Sequence, residues 1–120
     1  KILRFKKKHK LKILVLGVAY KKNINDCRES PAFEIIKRLK NKKVIVEYND
    51  PYINKIPKLR NYNFNMKSIR LNKKNLQSFD ATIIVTDHDS YNYEMIRKNS
   101  LVLIDTRNTY KKEYDNVHLA

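Results

Sequence analysis

The fold is decided by residues 12–19, which read KILVLGVA. This apolar, partly β-branched run does not alternate with polar residues, a pattern typical of a strand that is covered on both faces. After a polar loop, Ser30 and Pro31 have the arrangement of an N-cap residue and the first residue of a helix. Apolar side chains then recur at helical spacing as far as Asn41. The sequence therefore predicts a buried strand, a loop and an amphipathic helix, in that order.

Apolar strands continue to alternate with amphipathic helices further along the chain. We expect strands at 43–48, 81–86 and 101–105, a short edge strand at 68–71, and brief helices at 75–79 and 93–97. Residues 52–67 are rich in Asn and contain Pro57, which predicts an irregular surface excursion, and a polar tail follows Arg107. Such alternation indicates βαβ units, so the predicted fold class is α/β: a three-layer Rossmann-like domain. Its mainly parallel sheet is expected to have about five strands, with helices on both faces.

The charge balance is strongly basic, because 27 Lys and Arg stand against 12 Asp and Glu, a formal net charge of +15. A basic nucleic-acid-binding α/β module is therefore an alternative function, since lysines neutralise phosphates and tyrosines stack on bases. The relevant residues form a basic arm and a cluster around a helix end: Arg4, Lys6, Lys7, Lys8 and Lys10, and Lys37, Arg38, Lys40, Lys42 and Lys43. These cations are scattered over several elements, without a helix-turn-helix, zinc-finger or RNA-recognition signature. Compositional drift toward lysine on solvated faces explains most of the charge without a partner.

The length of 120 residues leaves room for one ordinary domain. We expect residues 1–10 to be a basic lead-in and residues 11–120 to be an α/β domain cut from a longer enzyme. No apolar run approaches the roughly 20 residues that span a bilayer, which excludes an integral membrane protein. The single Cys27 cannot form an internal disulfide, so a reducing, cytoplasmic location is expected. The histidines are isolated from one another and from Cys27, and no metal site is expected.

Polar segments follow the predicted strands at Tyr20-Lys21, at Asp87-His88 and at residues 105–107. In parallel sheets ligands gather at the carboxyl ends of the strands, near the point where the strand order reverses. Lys21 and Arg107 would give this crevice two cations, suited to a phosphate or a carboxylate. A redundant or regulatory module of the same fold would not need both cations there. From spacing alone, however, Lys21 is equally well explained as a solvated lysine.

Two other side chains near this crevice, Arg28 and His88, each have two possible roles. Arg28 either meets an anion or forms an ion pair with Asp26 or Glu29 that pins the loop. His88, which is flanked by two aspartates, is either a tuned general base or a structural tie between a strand end and the next helix. We favour the structural role for both. A conventional dinucleotide site is not expected after the first strand, because the segment that follows has one glycine where G-x-G-x-x-G is required.

Residues 17–21, GVAYK, followed by residues 26–31, DCRESP, resemble the signature of the UDP-glucose/GDP-mannose dehydrogenase family, in its C-terminal UDP-sugar-binding domain. Asp50-Pro51 is similar to a turn of that family. Residues 86–88, TDH, and 105–108, DTRN, are similar to its branch acting on UDP-N-acetylhexosamines, closest to UDP-N-acetylglucosamine 6-dehydrogenases. The resemblance extends from about Lys12 to Asn108, nearly the whole chain.

The resemblance implies an enzyme that oxidises the sugar C6 hydroxyl of a nucleotide sugar to a carboxylate in two NAD-dependent steps, through a thioester on a catalytic cysteine. It implies that Tyr20, Lys21 and Arg107 belong to the UDP-sugar site, with Arg28 having a weaker claim. The family's NAD-binding domain, central dimerisation helices and catalytic cysteine have no counterpart in this chain, and Cys27 is not in the nucleophile's position. This domain alone is therefore expected to bind part of a UDP-sugar without NAD and to catalyse nothing. The full-length parent is expected to be a homo-oligomer.

Overall fold

The computed structural model describes residues 10–120, so the basic arm from Arg4 to Lys8 and most of the predicted lead-in lie outside the described residues. The described residues form five strands and three helices, in the order β1 (Lys12–Leu16), α1 (Ala32–Asn41), β2 (Ile45–Asn49), α2 (Lys73–Gln77), β3 (Ala81–Ile84), α3 (Tyr93–Asn99), β4 (Leu103–Asp105) and β5 (Val117–Leu119). No helix within residues 10–120 is long and apolar enough to cross a membrane.

The strands form one sheet in the order β2-β1-β3-β4-β5, and all four neighbouring pairs are parallel. The chain passes from β1 through α1 to β2 on one side, and then crosses to β3 on the other side of β1. The strand order therefore reverses between β1 and β3, which is where a sheet of this kind opens a crevice at its carboxyl edge. The predicted fold class, an α/β domain with a mainly parallel sheet, is confirmed.

Both faces of β1 are covered, as its unbroken apolar sequence predicts. Ile13 and Val15 pack with Phe33 and Ile36 of α1 in one core cluster. Leu14 and Leu16 point to the other face, where they pack with residues of α2 and α3 in a second cluster. Each apolar side chain that is fully buried stabilises the fold by about 1.5–3 kcal/mol. The sheet therefore lies between two helical layers, with α1 on one face and α2 and α3 on the other, and one core cluster fills the space on each face.

The helix α1 begins at Ala32, one residue later than expected, and Pro31 rather than Ser30 is in the N-cap position. The Ser30 hydroxyl accepts a hydrogen bond from the backbone N–H of Ala32 at 3.2 Å, and Pro31 has φ −65°, which suits the first turn of a helix. Arg38 and Lys40 lie in the last turn, where cations interact favourably with the helix dipole. Part of the basic cluster that opened the nucleic-acid alternative therefore has a local role in α1.

Two predictions on the edges of the sheet are wrong. Residues 68–71 form no strand, since only Ser68 makes an isolated bridge, to Tyr48. The fifth strand is instead β5, in the segment where the sequence predicted a polar tail. Asn116 anchors it, because the backbone carbonyl of Asn116 accepts from Leu103 N at 2.8 Å. Val117 is half-buried and both His118 and Leu119 are exposed, so no apolar run marks this strand in the sequence.

The excursion at 52–67 is irregular, as predicted, but it is not merely a surface segment. Ile53 and Ile56 are buried in the core cluster of α1, and the rings of Tyr62 and Phe64 both pack near that of Phe33. The segment therefore covers part of the α1 face of the sheet. Its apolar residues recur every three positions from Ile53 to Tyr62, which is typical of neither an α-helix nor a strand, so sequence reasoning missed their burial.

Candidate functional site

Loops from four strands meet at the carboxyl edge of the sheet. They are residues 17–23 after β1, 50–52 after β2, 85–89 after β3 and 106–110 after β4. Because the strands are parallel and β1 lies between β2 and β3, the first three loops converge around the end of β1.

Gly17 allows β1 and β3 to approach closely at this edge. Its φ is +87°, and a Cβ there would lie 2.4 Å from the Cβ of Thr86. The Thr86 hydroxyl donates to the carbonyl of Ala19 at 2.7 Å, and Gly17 N donates to the carbonyl of Asn49 at 2.9 Å. Glycine is required here both by its backbone conformation and by the space available.

A buried carboxylate lies at the centre of the converging loops. Asp50 is 2% exposed, and its Oδ2 accepts from Val18 N at 2.8 Å and from Ala19 N at 3.0 Å. Its Oδ1 accepts from Tyr52 N at 2.8 Å. Burial alone would raise the pKa of Asp50, but hydrogen bonds, above all the one from His88, outweigh it, so this pKa is lowered. The carboxylate therefore stays charged and links the end of β2 to the loop after β1.

His88 is completely buried beside Asp50, and both of its ring nitrogens are engaged. Nε2 lies 2.9 Å from Asp50 Oδ2, and Nδ1 accepts from Asn23 N at 2.8 Å. Because Nδ1 accepts, the ring carries its proton on Nε2 and donates it to the carboxylate. The imidazole thus has no free lone pair for general-base chemistry. Its structural role was expected, but its ring nitrogens join the loops after β1 and β2 rather than the next helix.

Tyr20 and Lys21 lie at the exposed rim of this edge. Tyr20 is 49% exposed, and the ammonium of Lys21 lies 5.9 Å from the centroid of the Tyr20 ring. Tyr20 N donates to the carbonyl of Asp26 at 2.7 Å, which closes the loop behind the two side chains. An aromatic face and a cation therefore lie next to each other in solvent, where the Tyr20 ring can stack on a planar ring and Lys21 can bind an anion.

Arg107 lies on the loop after β4, whose backbone is organised by Asp105. This buried carboxylate accepts from Arg107 N at 3.0 Å, from Thr109 N at 2.7 Å and from Tyr110 N at 3.0 Å. The Arg107 side chain is 51% exposed, and its Nε lies 3.5 Å from Asp87 Oδ1. The ion pair is long and half in solvent, so little free energy holds the guanidinium in place.

Arg28 forms an ion pair with Asp26, which is one of the two roles predicted for it from the sequence. Its Nε and Nη2 lie 3.1 Å and 2.9 Å from the two carboxylate oxygens, and its backbone N also donates to Oδ1 of Asp26. These hydrogen bonds lower the pKa of Asp26 to about 2. Arg28 and Tyr20 line one hollow of about 280 Å³, whose lining does not include Lys21 or Arg107.

A larger hollow, of about 470 Å³, lies between the start of α1 and the excursion. Arg28, Phe33 and Tyr62 line it together with Lys58 and Arg60. Tyr20, Lys21 and Arg107 are not among its lining residues, but Arg28 lines both hollows, so the two adjoin at this side chain.

Cys27 is a buried free thiol in the same loop. Desolvation raises the pKa of this thiol, and the neighbouring Asp26 raises it further. A thiol held neutral in this way is a poor nucleophile.

Sequence reasoning named Asp50 only as part of a family-like turn and did not name Asn23, although both bind His88. The position of an aspartate directly after a buried strand, and before Pro51, was the available signal for Asp50. No such signal exists for Asn23, because it takes part through its backbone N–H at φ 64°.

Comparison with known proteins agrees with the resemblance in the motifs. The model described as "UDP-glucose/GDP-mannose dehydrogenase family, UDP binding domain" matches residues 14–112. A UDP-N-acetyl-D-mannosamine dehydrogenase from Methanococcus vannielii is 32% identical over 108 residues, covering 82% of this chain and 23% of the relative. A UDP-glucose 6-dehydrogenase from Rickettsia bellii is 32% identical over 108 residues, covering 84% of this chain and 24% of the relative.

A solved structure is similar over the same region. The UDP-D-ManNAc dehydrogenase from Pyrococcus horikoshii matches with a TM-score of 0.68 and 30% sequence identity, covering 92% of this chain and 25% of that one. The chain thus spans about a quarter of the length of the proteins that it matches.

Proposed function

The chain belongs to the UDP-glucose/GDP-mannose dehydrogenase family as its UDP-binding domain, and from this premise we propose that Tyr20, Lys21 and Arg107 bind a UDP-sugar. The observation that carries the proposal is the common edge on which the loops after β1 and β4 present these side chains to solvent. A diphosphate needs cations that can reorient toward it. Lys21 meets this condition because its contact with the Tyr20 ring is long, and Arg107 because its ion pair is weak.

Each proposed contact has a distinct chemical role. The Tyr20 ring offers a face for the uracil or the sugar, while Lys21 and Arg107 supply positive charge to the diphosphate. Arg28 has a weaker claim, because both arms of its guanidinium fork are already satisfied by Asp26.

The residues of this domain do not fit the nicotinamide cofactor. A Rossmann pyrophosphate site uses free backbone N–H groups after the first strand. Here the N–H groups of Val18 and Ala19 donate to the Asp50 carboxylate, so a negative charge already occupies that position. We therefore assign NAD, and the catalytic cysteine, to other parts of the parent enzyme.

For the parent we propose an NAD-dependent oxidation of the sugar C6 hydroxyl of a UDP-N-acetylhexosamine to a carboxylate, in a cytoplasmic homo-oligomer. The mannosamine names of two of the compared proteins support an N-acetylated sugar. An N-acetylglucosamine specificity, expected from the motifs, has no such support. The titration therefore compares UDP-N-acetylglucosamine with UDP-N-acetylmannosamine and UDP-glucose. This domain alone is proposed to be catalytically inactive.

The experiment is a titration of the chain with UDP, UDP-N-acetylmannosamine, UDP-N-acetylglucosamine and UDP-glucose, followed by calorimetry or amide chemical shifts. Removing a charged hydrogen-bond donor costs about 1.5–3 kcal/mol, so Lys21→Ala and Arg107→Ala are each expected to weaken UDP binding about tenfold or more. Lys40→Ala removes an exposed charge on α1 and is expected to leave the affinity unchanged. The proposal fails if the unaltered chain does not bind UDP, or if Lys21→Ala and Arg107→Ala bind it as the unaltered chain does.

A further inference from the structure

We propose that Asp50 and His88 are positioning residues, a buried pair that holds the loop carrying Tyr20 and Lys21 at both of its ends. The inference rests on the proposed function, because it assigns the pair a role in UDP-sugar affinity. Neither side chain reaches solvent, so neither can touch the ligand itself. Their effect must be transmitted through the backbone that they hold.

Asp50 holds the near end of the loop. Its Oδ2 accepts the N–H groups of Val18 and Ala19, the two residues that come directly before Tyr20. The carbonyl of Ala19 is held as well, by the Thr86 hydroxyl at 2.7 Å. The peptide groups leading into Tyr20 are therefore fixed relative to both β2 and β3.

His88 holds the far end of the loop. Its Nδ1 accepts the N–H of Asn23, which stands at φ 64° in the left-handed region. The amide side chain of Asn23 forms two further hydrogen bonds with Asp89, one to its carboxylate at 2.7 Å and one from its backbone N–H at 2.9 Å. Only Tyr20, Lys21 and Lys22 lie between the two fixed ends.

One imidazole connects the two ends. Nε2 donates to the carboxylate that holds Val18 and Ala19, while Nδ1 accepts from Asn23, so the ring must keep a single tautomer to serve both. The direction of the exposed Tyr20 and Lys21 side chains therefore depends on a pair that lies beneath them. A ligand that needs both side chains gains affinity when their loop is already ordered.

Two substitutions separate the two halves of this arrangement. In His88→Gln the amide nitrogen can still donate to Asp50, but nothing accepts the N–H of Asn23. In His88→Asn the amide oxygen can still accept from Asn23, but the side chain is too short to reach Asp50. The structural control is Ile96→Val, which leaves a small cavity in the core cluster between the sheet, α2 and α3. This change is expected to lower the free energy of unfolding by about 0.5–1.5 kcal/mol.

The first measurement is UDP affinity, in conditions where urea titration shows every variant to be folded. Loss of global stability then leaves the dissociation constant unchanged, because the fraction of folded protein stays near one. Both His88 variants are expected to bind UDP at least fivefold more weakly, and Ile96→Val is expected to bind as the unaltered chain does. Equal losses in His88→Gln and Ile96→Val, or unchanged affinity in both His88 variants, would overturn the proposal.

The second measurement is amide hydrogen exchange, which does not depend on the ligand. His88→Gln is expected to speed exchange of the Asn23 amide at least tenfold, while His88→Asn keeps it protected. If the unaltered chain binds no UDP, the proposed function fails, and only hydrogen exchange then tests whether Asp50 and His88 hold the loop. An Asn23 amide that is still protected in His88→Gln would show that they do not.

A surface variant covers the case in which both buried substitutions unfold the chain. Asn23→Ala removes the two side-chain bonds to Asp89 and leaves a left-handed alanine, without altering a buried side chain. It is expected to weaken UDP binding severalfold. Lys43→Ala, at a similar φ of 63° but at the end of α1, is the matched control and is expected to have no effect on UDP binding. The same affinity in Asn23→Ala as in the unaltered chain would contradict the proposal.

Discussion

At the scale of single residues, the site depends on a charged group placed where water cannot solvate it. The Asp50 carboxylate replaces its lost hydration with three backbone N–H groups and one imidazole N–H. Such a network is stable when every partner is present and costly when one is lost, because the remaining charge or donor is then buried without a partner. This makes the residues beneath the rim as important to its geometry as those that stand on it.

Gly17 gives the first prediction at this scale. Gly17→Ala is expected to destabilise the chain by about 3 kcal/mol or more, since it combines a strained φ of +87° with overlap at the end of β3. The measurement is the free energy of unfolding from urea titration.

A second substitution tests the cause of that loss. The added Cβ would lie 2.5 Å and 2.7 Å from the backbone O and N of Thr86, as well as 2.4 Å from its Cβ. The double variant Gly17→Ala with Thr86→Gly is therefore not expected to recover the stability of Thr86→Gly alone. Unfolding of Gly17→Ala at the same urea concentration as the unaltered chain would show that this close approach is absent.

At the scale of helices and strands, an element was predictable from the sequence where its apolar or amphipathic pattern was long enough. β1 and α1 were predictable because an unbroken apolar run and a capped amphipathic pattern each extend over many residues. β4 has only three residues but was predictable, because it lies in an apolar run at 101–105. β5 was not, because its residues are half-buried or exposed and form no such run, and residues 68–71 make only an isolated bridge. The partner of β5 is β4, the preceding strand, and Leu103 pairs with Val117 across the loop that joins them, so local propensity alone could not reveal the pairing.

The end of α1 gives a prediction about an element. Lys43 stands at φ 63° directly after the helix, and Val44 N donates back to the carbonyl of Leu39 at 3.1 Å, the pattern of a Schellman motif. Glycine is the preferred residue at this left-handed position, because it has no Cβ. Lys43→Gly is therefore expected to stabilise the chain by about 0.5–1 kcal/mol, measured by urea titration.

Lys43→Ala is the control for that stabilisation. It removes the same charge but keeps a Cβ in the left-handed region, so it is not expected to stabilise the chain. If Lys43→Ala stabilises as much as Lys43→Gly, the gain comes from relieving charge repulsion in the basic cluster rather than from backbone conformation.

At the scale of the whole molecule, the parallel topology explains which parts of the site were predictable. Once parallel strands were recognised, their carboxyl ends had to share one edge, so the location of Tyr20, Lys21 and Arg107 at that edge was predictable. Their role in binding a UDP-sugar came from the family resemblance and stays a prediction. The contact between Asp50 and His88 did not, because these residues are 38 positions apart and meet only through the order β2-β1-β3. The net charge of +15 was the weaker guide, since it describes the whole surface rather than this edge.

The same excess of positive charge leads to a prediction about acid stability. The pKa of Asp50 is lowered in the folded chain, so its stabilising contribution is complete above the ordinary aspartate pKa of about 4 and is lost as the pH falls through the folded value. Asp26 behaves in the same direction, with a folded pKa of about 2, but its ion pair with Arg28 is exposed and can be screened by salt. The free energy of unfolding is therefore expected to fall steadily between about pH 5 and pH 2, as carboxylates are protonated and the positive charges lose their counterparts.

Salt and two matched variants separate the buried contribution from the exposed one. In about 0.5 M KCl, where exposed charges are largely screened, the remaining fall in stability is expected to come mainly from Asp50. Asp50→Asn should therefore show a shallower pH dependence than the unaltered chain at high salt, whereas the difference between Asp26→Asn and the unaltered chain should be smaller at high salt than at low salt. Equal slopes for Asp50→Asn and the unaltered chain at high salt would mean that the folded and unfolded chains bind the Asp50 proton equally well. The hydrogen bonds from His88 and the backbone would then merely compensate for burial, and the lowered pKa inferred for this carboxylate would be wrong.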